Sequence, residues 1–302
     1  MTHMLFEQIT ALGADRALGA RLSALTTAHT RLWGHWGMAE GPSAIEMAAL
    51  PVSLAIEGLT PVGEDMLWAG QHAKVAAGRW MLTGRHSRDG VWGPASGAAI
   101  RARAMAELYL IEDRVVEGIV ILDTATVLAN IGGDLAGWAR ARADHVSAML
   151  PEPPQSLPPN DWADAWAGMI TRGMSDGFGT VGAQFAEGCT VDWPGASTVH
   201  GPRAAETLWS GLREALPGAK LTLVHRLGRV DPLMPPRASV RWRLTGRHDG
   251  WGRFGAPTGA DITVTGISQA EFGPDGVRRE VTVFDEAAIW AQIFAATGAH
   301  DG

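Results

Sequence analysis

Two aspartates and two histidines could carry proton chemistry in this chain. Asp123 and Asp285 each end a strand-like run and lead into a helical one, while His86 and His248 each follow Thr-Gly-Arg at the end of another strand-like run. An aspartate lifted out of water has a raised pKa and can act as a base near neutrality, and histidine exchanges protons near pH 7. A His–Asp pair from neighbouring strands could therefore move a proton beside a carbonyl group. Each residue type also has an architectural role open to it. An Asp just before a helix is an N-cap, and a His after a strand can bond the turn that follows and hold a Gly-rich loop. The sequence leaves both roles open.

A second set of residues could hold a ligand. The chain has 13 Trp and 7 Phe against one Tyr, and indoles supply large apolar area with a single donor. Trp33, Trp80, Trp193 and Trp242 are candidates to line a pocket for a flat apolar molecule, or to fill core. His225 stands among Leu221, Leu223 and Leu227 on a period-2 run and joins the pocket candidates, as does Tyr109 beside Glu107. A buried Glu107 next to Tyr109 would be an acid/base pair, whereas an exposed strand face explains the two equally. Arg79, Arg241 and Arg243 alternate with Trp and read as surface or interdomain charges.

These residues are duplicated together. Arg79-Trp80-Met81-Leu82-Thr83-Gly84-Arg85-His86 returns as Arg241-Trp242-Arg243-Leu244-Thr245-Gly246-Arg247-His248, and residues 79–123 map onto 241–285 without a gap. Fifteen of the 45 pairs are identical, against about three expected by chance from average usage. Further back, Trp33 meets Trp193 and Gly41-Pro42 meets Gly201-Pro202 at a shift of 160. Such a repeat predicts two copies of one structural unit.

Apolar periodicity predicts helix over residues 5–32, with a break near Gly13. Strands with period-2 alternation follow: 221–227, 240–245, 100–110 with its counterpart 262–272, and the last strands 115–122 and 277–284. Each copy then closes with a helix. Five prolines within residues 151–160 predict a stiff linker. The expected organisation is domain 1 over residues 1–147, a Pro-rich linker over 148–160 and domain 2 over 161–302. The fold class is α+β: two tandem cone-shaped α+β barrels, each a curved antiparallel sheet wrapped over helices, forming a pseudo-dimer in one chain.

Bulk properties narrow the partners. A net charge of −7 argues against nucleic acid and anionic membrane as partners. The single Cys189 excludes an intrachain disulfide and fits a reducing compartment. No apolar leader or membrane span is legible, so a cytoplasmic protein is expected. The ten histidines show no metal-ligand spacing, no nucleotide-binding Gly-rich turn opens a helix, and no Gly-x-Ser-x-Gly elbow occurs. No metal or cofactor is expected.

The Thr-Gly-x-His run, the Gly-rich turn Phe254-Gly255-Ala256-Pro257-Thr258-Gly259, the long strand after it and the last strand ending in Asp resemble the SnoaL-like polyketide cyclases. These belong to the nuclear-transport-factor-2-like superfamily, and the resemblance covers both halves. It implies a deep apolar pocket in each cone and cofactor-free proton transfer on a small hydrophobic carbonyl compound by a cyclase, isomerase or lyase. Asp285, His248, Asp123 and His86 would be the catalytic groups. A non-catalytic binding protein for a flat hydrophobic molecule is the alternative. The chain departs from the family pattern at Val120 and Thr282, where cyclases often carry a strand carboxylate, and at Ala98 and Ala260, where a basic residue often follows the turn. Divergence between the copies points to the second as the working one. The two cones are expected to pack through their sheet faces as homodimers of the superfamily do, with further dimerisation left open.

Overall fold

In the computed structural model, residues 18–70, 73–143 and 159–298 are described. Residues 148–158 of the expected linker and residues 5–17 of the expected helix lie outside them. The remainder of that helix is revised. Helix α1 spans only Leu18–Leu25, and Thr26–Gly34 is strand β1. Thr26, Thr27 and Thr30 supply the reason: β-branched residues favour strand, and Thr30 Oγ1 donates to Val115 O at 2.5 Å, tying the segment to the last strand of the first copy.

The first copy continues through β2 (Gly37–Glu40), α2 (Pro42–Ala55), β3 (Ile56–Ala69), β4 (Ala73–His86), β5 (Ala99–Ile111), β6 (Arg114–Leu122), α3 (Thr124–Ile131) and α4 (Leu135–Arg140). The second contains α5 (Asp161–Asp176), β7 (Phe185–Trp193), β8 (Ser197–His200), α6 (Pro202–Ala215), β9 (Lys220–Arg229), β10 (Arg237–Arg247), β11 (Asp261–Gly273), β12 (Gly276–Phe284) and α7 (Glu286–Thr297). Each copy forms a six-stranded sheet, ordered β2-β1-β6-β5-β4-β3 and β8-β7-β12-β11-β10-β9. The sheets are mixed, because β1 runs parallel to β6 and β7 parallel to β12; the other pairings are antiparallel. α2 and α6 both open with Gly-Pro. Gly41 at φ 79° and Gly201 at φ 83° take a backbone that disfavours a side chain, and Pro fits the first helical turn.

Period-2 alternation gives each sheet two faces with separate duties. One face closes over the copy's own helices to make the cone. The other packs on the second sheet, where Met105, Ile119 and Ile121 meet Ile267, Val281 and Val283. Each residue in the first trio is 162 positions from its counterpart in the second, so the interface is self-complementary, like that of a two-fold dimer. Around it, Arg79 donates to Gln269 Oε1 at 3.2 Å and reaches Glu271 Oε1 at 3.4 Å. Arg241 reciprocates with Glu107 Oε1 at 3.1 Å and Tyr109 Oη at 3.3 Å. No helix among the described residues is long and apolar enough to cross a membrane.

Candidate functional site

An open cavity lies in the first cone. It encloses about 580 Å³ and is walled by aliphatic side chains such as Leu22, Ile45, Leu50, Leu108 and Leu122, with Trp80 beside them. Its polar lining groups are few. Thr26 Oγ1 donates to Leu22 O at 2.6 Å and Ser53 Oγ to Leu50 O at 3.0 Å, so both hydroxyls are satisfied by backbone. His35 and Trp36 line it from the tip of the β1–β2 hairpin, and Glu46 lines it from α2.

The second cone is filled at the equivalent places. Trp193 packs edge-on to Trp209 at 4.9 Å between ring centroids and to Phe284 at 5.5 Å, and Trp242 lies 6.0 Å from Trp209. The corresponding first-copy residues are smaller. Ala49 stands for Trp209, Leu122 for Phe284, and Gly118 for Glu280. The ladders give the last substitution. Leu32 pairs with Gly118 where Val191 pairs with Glu280, and Gly34 closes the first hairpin where Trp193 closes the second. The strand shift here is therefore 159, and the sequence pairing of Trp33 with Trp193 is not a structural equivalence. Trp33 packs on the interdomain side with the Ile119 cluster, under the Arg31 guanidinium at 5.6 Å. The duplicated indoles Trp80 and Trp242 differ too. Trp80 folds back over Gly78, where a Cβ would sit 2.1 Å from its ring, whereas Trp242 crosses to Gly266, where a Cβ would also come within 2.1 Å.

Inside the filled cone the polar atoms are tied together. Glu280 Oε1 accepts from Trp193 Nε1 at 3.1 Å, Trp209 Nε1 at 3.0 Å and Thr282 Oγ1 at 2.8 Å. Trp242 Nε1 donates to Ser268 Oγ at 2.9 Å. Burial pushes the Glu280 carboxyl up to about 7 against these three donors. No motif marks Glu280, and it becomes visible only once β12 is known to turn residues 280, 282 and 284 inward.

The strand-end aspartates cap helices outside the cavity. Asp123 Oδ1 accepts from Thr126 N at 2.8 Å, opening α3, and from Gly195 N of the other copy at 3.3 Å. Asp285 Oδ1 accepts from Ala288 N at 3.2 Å, opening α7. Burial raises both carboxyls to about 6. The histidines sit at the Gly-rich turns. His86 Nδ1 lies 3.1 Å from Ser96 Oγ, and His248 Nδ1 lies 3.0 Å from Thr258 Oγ1. The His248 backbone carbonyl accepts from Gly259 N at 2.9 Å, and burial lowers its imidazole pKa. None of these four residues lines the cavity.

Tyr109 and His225 belong to the interdomain network. Tyr109 Oη donates to Glu107 Oε1 at 2.6 Å, and His225 Nδ1 lies 3.2 Å from Glu107 Oε2. Burial alone would raise the Glu107 pKa, but His225, Arg241 and Tyr109 outweigh it and hold the carboxyl below its usual range. His225 reaches this face because β9 carries one extra residue: Arg241 pairs with His225 but Trp242 with Leu223. That bulge separates His225 from the face of Leu221 and Leu223, which strict alternation assigns to it. Among the described residues no group of three or more His, Cys, Asp or Glu is placed to hold a metal ion.

No family model matches the chain, and no curated protein matches it. Solved structures do. One, described provisionally as a SnoaL-like polyketide cyclase from Jannaschia sp. CCS1, shares 19% identity over 46% of this chain and 99% of its own, with a TM-score of 0.39. Another, described provisionally as a polyketide cyclase from Acidithiobacillus ferrooxidans, shares 16% over 46% and 99%, with a TM-score of 0.38. A Catenulispora acidiphila protein described as having a ketosteroid isomerase-like fold shares 16% over 43% and 93%, with a TM-score of 0.35. Each of these chains is matched almost whole by less than half of this one, whose fold is a tandem of two cones with one sheet apiece.

Proposed function

We propose that the protein binds a small, flat, hydrophobic molecule in its first cone, with the second cone acting as a filled scaffold that holds the first in shape. One observation carries this reading: the same fold is open where Ala49 stands and solid where Trp209 stands. An apolar cavity of this size is in the range that encloses a drug-sized ligand. Placing the working pocket in the first copy reverses the expectation from sequence divergence. The test is to rebuild the second copy's plug in the first. Ala49→Trp should cut uptake of 2-naphthol in equilibrium dialysis at least tenfold, while filling the space raises stability by about 1 kcal/mol. Undiminished uptake by a folded Ala49→Trp protein would remove the cavity from the account.

A second reading, turnover of a hydrophobic carbonyl compound by proton transfer, is favoured by the titratable side chains that line this cavity, His35 and Glu46. It moves the acid/base role away from Asp285, His248, Asp123 and His86. Its measurement is deuterium exchange of the α-protons of 2-tetralone, followed by NMR. Exchange should exceed the buffer rate and drop at least tenfold in His35→Leu; exchange at the buffer rate leaves a binding protein without chemistry.

A further inference from the structure

Two buried polar atoms at the cavity stand out from their surroundings. His35 Nδ1 and Trp36 Nε1 are both hidden from solvent and meet no hydrogen-bond partner among the described residues. A buried donor or acceptor without a partner costs about 1–3 kcal/mol, so such atoms in adjacent side chains call for an explanation. The two rings sit edge to face with centroids 4.8 Å apart, and both line the cavity. The hairpin is shaped to place them. Gly34 has no side chain because a Cβ there would lie 2.7 Å from the Trp36 ring, and Gly37 turns the chain at φ 87°. The second copy has neither group. Its turn carries Pro194-Gly195-Ala196, and the space is taken by Trp193.

We infer that His35 and Trp36 form a recognition pair for one hydroxyl group on an otherwise apolar ligand, a phenol or a stable enol. A turn of the two rings toward the cavity brings both atoms to the ligand: its oxygen accepts from Trp36 Nε1–H, and its hydroxyl proton is donated to His35 Nδ1. An indole N–H only donates, and a neutral imidazole with its proton on Nε2 accepts at Nδ1, so together they match a group that both accepts and donates. Burial, with the Arg142 charge adding to it, holds the imidazole pKa down to about 4, which keeps the ring neutral at neutral pH. Of the other polar side chains on the wall, the Thr26 and Ser53 hydroxyls donate to backbone carbonyls, and Glu46 on α2 is an acceptor without an indole-like donor beside it. Selectivity against the ligand lacking the hydroxyl follows, because it leaves both atoms buried and unpaired.

This assignment rests on the first cone being a binding pocket, and the experiment separates the two. The whole chain is dialysed against naphthalene, 2-methoxynaphthalene and 2-naphthol. Expected is 2-naphthol at least tenfold tighter than naphthalene, with 2-methoxynaphthalene, which accepts but cannot donate, in between. Trp36→Phe and His35→Leu should each bring the ratio of 2-naphthol to naphthalene affinity down from at least tenfold to within about threefold. Trp36→Phe keeps the ring packing and reports alone should the His35 substitution unfold the hairpin. Equal affinities in the wild type, or a preference that survives both substitutions, overturn the recognition pair and leave the pocket standing. Binding of none of the three compounds overturns the pocket and the pair together.

Discussion

Glu280 is a carboxyl in a core that has no water to offer it. Three donors converge on Oε1, yet Oε2 has no partner among the described residues. Its folded pKa of about 7 stands above the ordinary 4.5, so the folded chain holds this proton more tightly than the unfolded one. The stabilising contribution is complete below about 4.5 and is lost as pH rises through 7. Glu280→Gln keeps the acceptor for the indoles and cannot ionise. Thermal unfolding at pH 8 should find the variant more stable by up to about 3 kcal/mol, with little difference at pH 4.5; equal pH profiles would show that Glu280 titrates normally. At this scale little was legible. Gly118 and Glu280 align without drawing notice, and only the inward turn of the strand lets Leu108 close over the one and three donors converge on the other.

Helix starts and strand faces were legible where a local rule governs them. Asp123 and Asp285 head α3 and α7, as one of their two sequence readings requires, because an N-cap needs only its own next three residues. Asp123→Ala should cost about 1–2 kcal/mol in denaturant unfolding, with naphthalene uptake by the first cone unchanged. A loss of uptake at full stability would return Asp123 to the site. Elements failed to read where one residue's insertion or a distant partner decides. Alternation assigns His225 to the apolar face, and the β9 bulge carries it to Glu107. The expected helix continues through residues 26–32, but they find a partner in β6, which lies more than eighty residues further on.

Across the whole molecule the copies pack on each other as the halves of a dimer do, and the two sides of the interface are not identical. Arg241 faces the carboxylate of Glu107, whereas Arg79 in the mirrored place faces the amide of Gln269 and shares the carboxylates of Glu64 and Glu271 at the margin. Breaking a buried ion pair leaves one charge stranded, at about 3–5 kcal/mol. Arg241→Met should therefore destabilise by about that amount, and Gln269→Leu by about 1 kcal/mol, the scale of a neutral hydrogen bond. A double-mutant cycle pairing Arg241→Met with Glu107→Leu should recover most of the loss. Additive losses would mean the pair is not coupled.

The sequence by itself determined that the chain is doubled, that each copy is an α+β unit, and that equivalent strands carry equivalent residues, because repetition and period-2 alternation are local patterns along the chain. Only the tertiary structure decided which copy is hollow. That depends on whether a few inward positions on different elements are large or small together, and on which glycine each duplicated indole lies across. It is a property of summed volume in a closed space, with no counterpart in the order of residues.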